Sequence, residues 1–144
     1  MTQNATARTR IMASAGLLLA GAAAAGTSDR PHIISVSHLS IYSSEATTTE
    51  RFFVHDLGAF KASDPQNPQG VRYYFNPVQF VEVLPLPDGP PSINRFDHAA
   101  FNVASAEDMR RYLGAHDIAV PTAISTGSDG SRYFEVRDPE GNRI

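Results

Sequence analysis

One strand-like stretch of this chain is written twice. Ser37-His38-Leu39-Ser40-Ile41 and Asp97-His98-Ala99-Ala100-Phe101 lie 60 residues apart. Each sets a histidine on the strand face opposite its apolar residues. The elements after each copy repeat as well. The order is strand, helix, three strands, a proline-rich linker, then strand, helix, two strands and the start of a third, which is an internal duplication. If the two copies form one curved surface, both histidines point into the same concavity.

In the first copy Ile33 to Tyr42 partly alternates, with Ser37, Leu39 and Ile41 on one face and Val36, His38, Ser40 and Tyr42 on the other. Ser43 or Ser44 can accept hydrogen bonds from the free amides that open a helix, and Glu45 suits its positive end. The helix is expected to carry Phe52, Phe53 and Leu57 to the core and to stop at Gly58, which tolerates the left-handed terminal conformation. Thr47, Thr48 and Thr49 give it poor propensity, so packing must hold it. Ala59 to Ala62, Val71 to Phe75 and Val78 to Leu84 read as three short strands. The Pro85 to Ser92 segment, with four prolines and a glycine, cannot continue a sheet.

In the second copy Phe96 to Val103 is a strand. Ser105 and Asp108 have capping-box spacing, and Met109, Tyr112 and Leu113 give the next helix its apolar stripe. Ile118 to Ile124 is expected to be extended, with Pro121 at an edge, and Ser131 to Val136 to form a strand. Asp138-Pro139-Glu140-Gly141 is a turn signal, after which Asn142-Arg143-Ile144 reads as the start of one more strand.

Residues 1–25 differ from the rest. Arg8 and Arg10 precede an apolar run from Ile11 to Ala25, no acidic residue occurs before Asp29, and Ala23-Ala24-Ala25 supplies small residues for cleavage. This is the pattern of a secretory signal peptide, and the run is short for a membrane span, which needs about 20 residues. A retained N-terminal anchor is the other reading, and both predict an exported domain, periplasmic or secreted. Residues 26–31 form a polar linker. Cleavage after Ala25 removes two arginines and takes the formal charge from −3 to −5 over the remaining 119 residues. With Lys61 as its one lysine, the chain has no basic stripe for a phosphate backbone, so nucleic acid is not an expected partner. No cysteine is present, so any metal must be held by nitrogen and oxygen.

Glu82 stands out in Phe80-Val81-Glu82-Val83-Leu84, because a buried carboxylate costs several kcal/mol unless it is paired or bound to a metal. Two histidines and one carboxylate from different strands suit zinc, nickel, manganese or ferrous iron. Spacing alone leaves an equal alternative: Glu82 at a solvent-facing edge, with His38 and His98 as satisfied core or surface histidines.

Two longer stretches resemble a known family. Phe52-Phe53-Val54-His55-Asp56-Leu57-Gly58 resembles the signature ending the first helix of the vicinal oxygen chelate superfamily, which includes glyoxalases, extradiol dioxygenases and bleomycin-resistance proteins. Tyr133-Phe134-Glu135-Val136-Arg137-Asp138-Pro139-Glu140-Gly141-Asn142-Arg143-Ile144 resembles its closing signature. The resemblance spans residues 32–144 and implies an α+β fold of two paired βαβββ modules forming an open half-barrel around a divalent metal. Module one would be 32–86, the proline linker 87–94 and module two 95–144, the latter lacking its last strand. The glyoxalase ligand pattern falls on His38, Glu82 and His98, and its fourth position falls just after Ile144, so a fragment is expected. Glu140, in a turn, is a poor substitute.

The resemblance implies Lewis-acid chemistry on a small metabolite whose two adjacent oxygens chelate the metal, in isomerisation or lyase reactions, with Glu82 as ligand and proton-transfer base. A ring-cleaving extradiol dioxygenase, with two histidines and one carboxylate around ferrous iron, is one alternative. A non-catalytic small-molecule binder of the resistance type is another, and Tyr42, Tyr73, Tyr74, Phe75 and Phe80 could line its pocket. A homodimer is plausible by analogy. His32, His55 and His116 are expected to be peripheral, and Arg110 and Arg111 to form a solvated helix face.

Overall fold

Val81 and Val83 alternate with Phe80 and Glu82 along one strand, and this alternation gives the sheet an apolar face and a polar one. The computed structural model describes residues 29–89 and 94–144. The leader expected at residues 1–25 lies outside the described residues, as do parts of both linkers. Among the described residues no helix is long and apolar enough to cross a membrane.

The chain runs β1 (Ile33–Ser43), α1 (Ala46–Glu50), β2 (Phe60–Ser63), β3 (Val71–Asn76), β4 (Gln79–Pro85), β5 (Phe96–Val103), α2 (Ala106–Ala115), β6 (Ser125–Thr126) and β7 (Arg132–Tyr133). The first five strands form one mixed, open sheet in the order β2-β3-β4-β1-β5, with β1 parallel to β4 and antiparallel to β5. Strands β6 and β7 make a separate two-stranded ladder.

The two copies meet at the β1–β5 seam, and their register there is symmetric. His38 pairs with Ala100, Leu39 with Ala99 and Ser40 with His98, so a local two-fold passes through the Leu39–Ala99 pair. The ladder is irregular on both sides of this triplet, between Val36 and His38 and between Ser40 and Ile41. Bulges of this kind re-aim side chains and fix where pairing holds.

The core lies on the other face and belongs to the first copy. Phe53, Ala59, Tyr73 and Val83 are buried, with Ile41, Val54, Val71 and Val81 packed around them. The Phe53 and Tyr73 rings stack with centroids 4.9 Å apart, an arrangement that adds about 1 kcal/mol to simple burial.

Of the three residues expected to reach this core from the first helix, Phe53 does so, whereas Phe52 and Leu57 are each 49% exposed. After Glu50 the helix widens to a π-helical turn over Arg51–Asp56, in which the Leu57 amide donates to the Phe52 carbonyl five residues back. The extra residue per turn rotates Phe52 and Leu57 off the apolar stripe. Gly58 ends the helix with φ +72° as expected. Neither Ser43 nor Ser44 caps it: Ser43 Oγ accepts the Glu45 amide at 3.1 Å and pairs with Thr49 Oγ1 at 2.7 Å.

The second copy keeps its helix and thins its sheet. Ser105 caps α2 by accepting the Asp108 amide, and Met109 is buried. Residues 118–124 join no strand: Pro121 has no amide to give a ladder, and its carbonyl is taken by Arg110 at 3.0 Å. The strand expected over Ser131 to Val136 pairs with β6 at Arg132 and Tyr133 alone. The turn at Asp138–Gly141 forms, and Arg143 then bridges in parallel to His98 and antiparallel to Arg137. Arg143 therefore stands beside β5 as Phe80 and Glu82 stand beside β1.

Candidate metal centre

Strand alternation carries His38, Ser40 and Tyr42 of β1, Phe80 and Glu82 of β4, Arg72 and Tyr74 of β3, and His98 of β5 to the face away from the core. Parallel pairing sets His38 beside Phe80 and Ser40 beside Glu82. The symmetric seam puts the two histidines diagonally across from each other, with Nε2 atoms 2.9 Å apart. One ligating atom from each of His38, Glu82 and His98 lies within 4.8 Å of the others. The three residues singled out in the sequence are thus brought together, although they lie on three strands.

Each has a partner that orients it. Nδ1 of His98 lies 2.8 Å from Asp97 Oδ2. Burial works against ionisation of Asp97, yet hydrogen bonds from Tyr42 and His98 and the Arg143 charge hold it below the usual carboxylate range. An ionised Asp97 can only accept, so Nδ1 of His98 carries a proton and Nε2 is the ring nitrogen turned towards the cluster. Tyr42 Oη donates to Asp97 at 2.7 Å, and Arg143 Nη1 reaches both carboxylate oxygens at 3.0 Å.

His38 Nδ1 lies 3.2 Å from Ser37 Oγ, and its ring stacks on Phe80 with centroids 4.5 Å apart and planes 11° apart. Burial, followed by the His98 and Arg72 charges, lowers its pKa to about 4. The ring is neutral at physiological pH, the state a metal ligand needs.

Glu82 is 7% exposed, and the fully buried Ser40 hydroxyl donates to its Oε2. Burial and the neighbouring Asp64 carboxyl push its pKa up to about 7, against the opposing pull of Ser40. Asp64 goes the other way. Despite burial, hydrogen bonds from Glu82 and the Gln66 amide, and the Arg72 charge, hold it low. The two neighbouring carboxyl groups thus shift in opposite directions.

These observations fit a cation. Two imidazole nitrogens facing each other at 2.9 Å, one with its tautomer set by a carboxylate, and a buried carboxyl that is costly to ionise without a positive partner, form an N,N,O donor set. Glu140 is exposed in its turn, away from the cluster, and His32, His55 and His116 are exposed as expected. Of the five aromatic residues considered for a pocket, Tyr42, Tyr74 and Phe80 share the face of the donors. Tyr73 and Phe75 pack against Phe53 on the core side.

Sequence reasoning missed the supporting residues. Ser40 could have been found from its place two residues after His38 on the same face, and Asp97 from its adjacency to His98. Arg72 and Asp64 had no local signal: Arg72 matters because it stands directly across from Glu82 in the antiparallel β3–β4 pair, and Asp64 because its loop folds back.

No protein-family model matches the sequence, and no curated protein matches it. Solved structures do. Methylmalonyl-CoA epimerase from Mycobacterium tuberculosis superposes with a TM-score of 0.61 at 14% identity, over 78% of this chain and 85% of that one. The 2,3-dioxygenase LapB from Pseudomonas sp. KL28 gives 0.60 at 17% identity, over 77% of this chain and 41% of that one. A hypothetical protein from Bacillus halodurans gives 0.57 at 15% identity, over 74% of this chain and 85% of that one. What these similarities establish is the fold, an open glyoxalase-like α+β arrangement.

Proposed function

We propose that this chain, which has the vicinal oxygen chelate fold, is an exported metalloenzyme of glyoxalase type that acts on a small metabolite with two adjacent oxygens. The observation that carries the reading is the convergence of His38, Glu82 and His98 at the seam between the two copies, on the face the core leaves free. His38 Nε2, His98 Nε2 and a Glu82 carboxylate oxygen would hold a divalent ion. That ion supplies Lewis-acid polarisation of a chelating substrate in isomerisation or lyase chemistry. Zinc, nickel, manganese and iron all suit the donor set.

The chain's own residues do the rest. Asp97 keeps the His98 proton on Nδ1, and Phe80 keeps the His38 ring flat against β4. Glu82, whose carboxyl pKa is pushed up to about 7 by burial and Asp64 before any ion is bound, is the residue placed to take up or release a proton there. Ser40 Oγ holds Glu82 in place, and Asp64 carries the complementary negative charge. Tyr74 and Phe80, with ring centroids 4.9 Å apart, form an aromatic wall beside the donors. The same wall supports the second reading, a non-catalytic binder of flat small molecules.

Elemental analysis of the purified protein separates the two readings. About one zinc, nickel, manganese or iron per chain, lost in His38→Ala and in Glu82→Ala, is the expected result. A folded wild type without metal, matched by both variants, overturns the metalloenzyme and leaves the binder. Export rests on the leader-like residues 1–25 and is checked by mass: the protein recovered outside the cytoplasm should start at Gly26. An intact mass for the exported protein would mean a retained anchor.

A further inference from the structure

Arg72 is a buried cation that the ligand set itself does not use. Its side chain is 8% exposed, with Nη2 2.9 Å from Asp64 Oδ1 and Nη1 3.7 Å from Asp129 Oδ2. Its Cζ lies 4.5 Å from the centroid of the Phe80 ring, the ring on which His38 stacks. Strands β3 and β1 flank β4, so Arg72 and His38 reach Phe80 from its two neighbouring strands. In the antiparallel pair Arg72 is directly across from Glu82.

Burying an arginine is costly unless its geometry is used. Asp64 alone would balance the charge, and a lysine could do that too. The flat guanidinium against Phe80 is a second demand, which lysine cannot meet in the same way. Asp129 adds a third contact. It belongs to the β6–β7 turn of the second copy, which Gln66 also grips, at Asp129 Oδ2 and Ser131 Oγ, each 3.2 Å away.

We propose that Arg72 is a positioning residue for the metal centre, standing directly across from Glu82 with its charge balanced by Asp64, holding the His38 ring through Phe80, and tying both to the β6–β7 turn through Asp129. The inference rests on the reading of His38, Glu82 and His98 as ligands. When a metal takes Glu82 as a carboxylate, two negative groups stand side by side, and Arg72 supplies the compensating charge. Its removal lets the carboxyl pair and the aromatic stack relax, which alters both the affinity for metal and the geometry around it.

The test uses cobalt(II) as the probe, titrated into the metal-free full chain and followed by its visible ligand-field spectrum. Arg72→Met should bind cobalt about 10–100-fold more weakly than wild type, with shifted bands. Arg72→Lys, which keeps the charge and loses the flat stack, should regain part of the affinity without the wild-type spectrum. If Arg72→Met does not fold by near-ultraviolet circular dichroism, Arg72→Lys decides alone. Weaker binding with altered bands supports the role, and wild-type affinity with the wild-type spectrum overturns it. His38→Ala distinguishes the two levels. Wild-type binding lost in His38→Ala, beside an Arg72→Met indistinguishable from wild type, sinks the role of Arg72 and leaves the metal centre. Wild type and His38→Ala binding cobalt alike, or not at all, sinks both.

Discussion

The two copies of the repeat carry the same opening strand and helix and reach different degrees of order. The first closes a four-stranded run, β2-β3-β4-β1, over one apolar cluster built from Phe53, Ala59, Tyr73 and Val83. The second adds β5 to that sheet and a helix with a single buried apolar residue, Met109, and its remaining strands are two residues each. The difference lies in the residues after the helix. Val71-Arg72-Tyr73-Tyr74-Phe75 alternates bulky groups on both faces, whereas Pro121-Thr122-Ala123-Ile124-Ser125-Thr126-Gly127-Ser128 offers a missing amide, small side chains and little to bury. A duplicated start does not guarantee a duplicated core, yet it suffices for a duplicated ligand, because His98 needs the seam with β1 and not the strands beyond α2.

If the first copy holds the stability, truncations on the two sides should differ. Phe53→Ala removes the ring at the centre of the cluster and should cost about 3–5 kcal/mol in denaturant unfolding, while Met109→Ala should cost about 2 kcal/mol. Equal losses would erase the contrast.

A smaller effect comes from the functional face of the first copy. In metal-free protein held in chelator, Glu82 keeps its proton to about pH 7, whereas an unfolded glutamate loses it near 4.5. A carboxyl with a raised folded pKa removes stability as pH rises through that window and has no further effect above it. Glu82→Gln should therefore gain on wild type progressively between pH 4.5 and 7 and stay level above. His38, lowered to about 4, acts in the opposite sense, costing stability as pH falls below 6.5, and it does so in both proteins. A difference that does not change with pH would show that Glu82 is ionised at its ordinary value.

Much of this was legible from local pattern. Alternation in β1 and β5 put His38 and His98 on one face, and Glu82 drew notice as an acid among valines. Gly58 and the Asp138–Gly141 turn behaved as their residue types require. The π-helical turn that exposes Phe52 and Leu57 was not legible, since a helix of either pitch shows similar residues over so short a span. Nor were Asp64 and Arg72, whose contacts depend on strand pairing and loop folding that no spacing along the chain encodes.

The symmetric triplet at the seam has a thermodynamic consequence. His38 and His98 face each other in one frame of β1 against β5, and a slip by one residue would turn one of them to the opposite face. An ion gripped by both histidines would bind the correctly paired state alone and stabilise it by mass action. The half with the thin core would then owe part of its attachment to the metal supply, and chelation would first loosen the seam rather than the apolar cluster beneath β3 and β4.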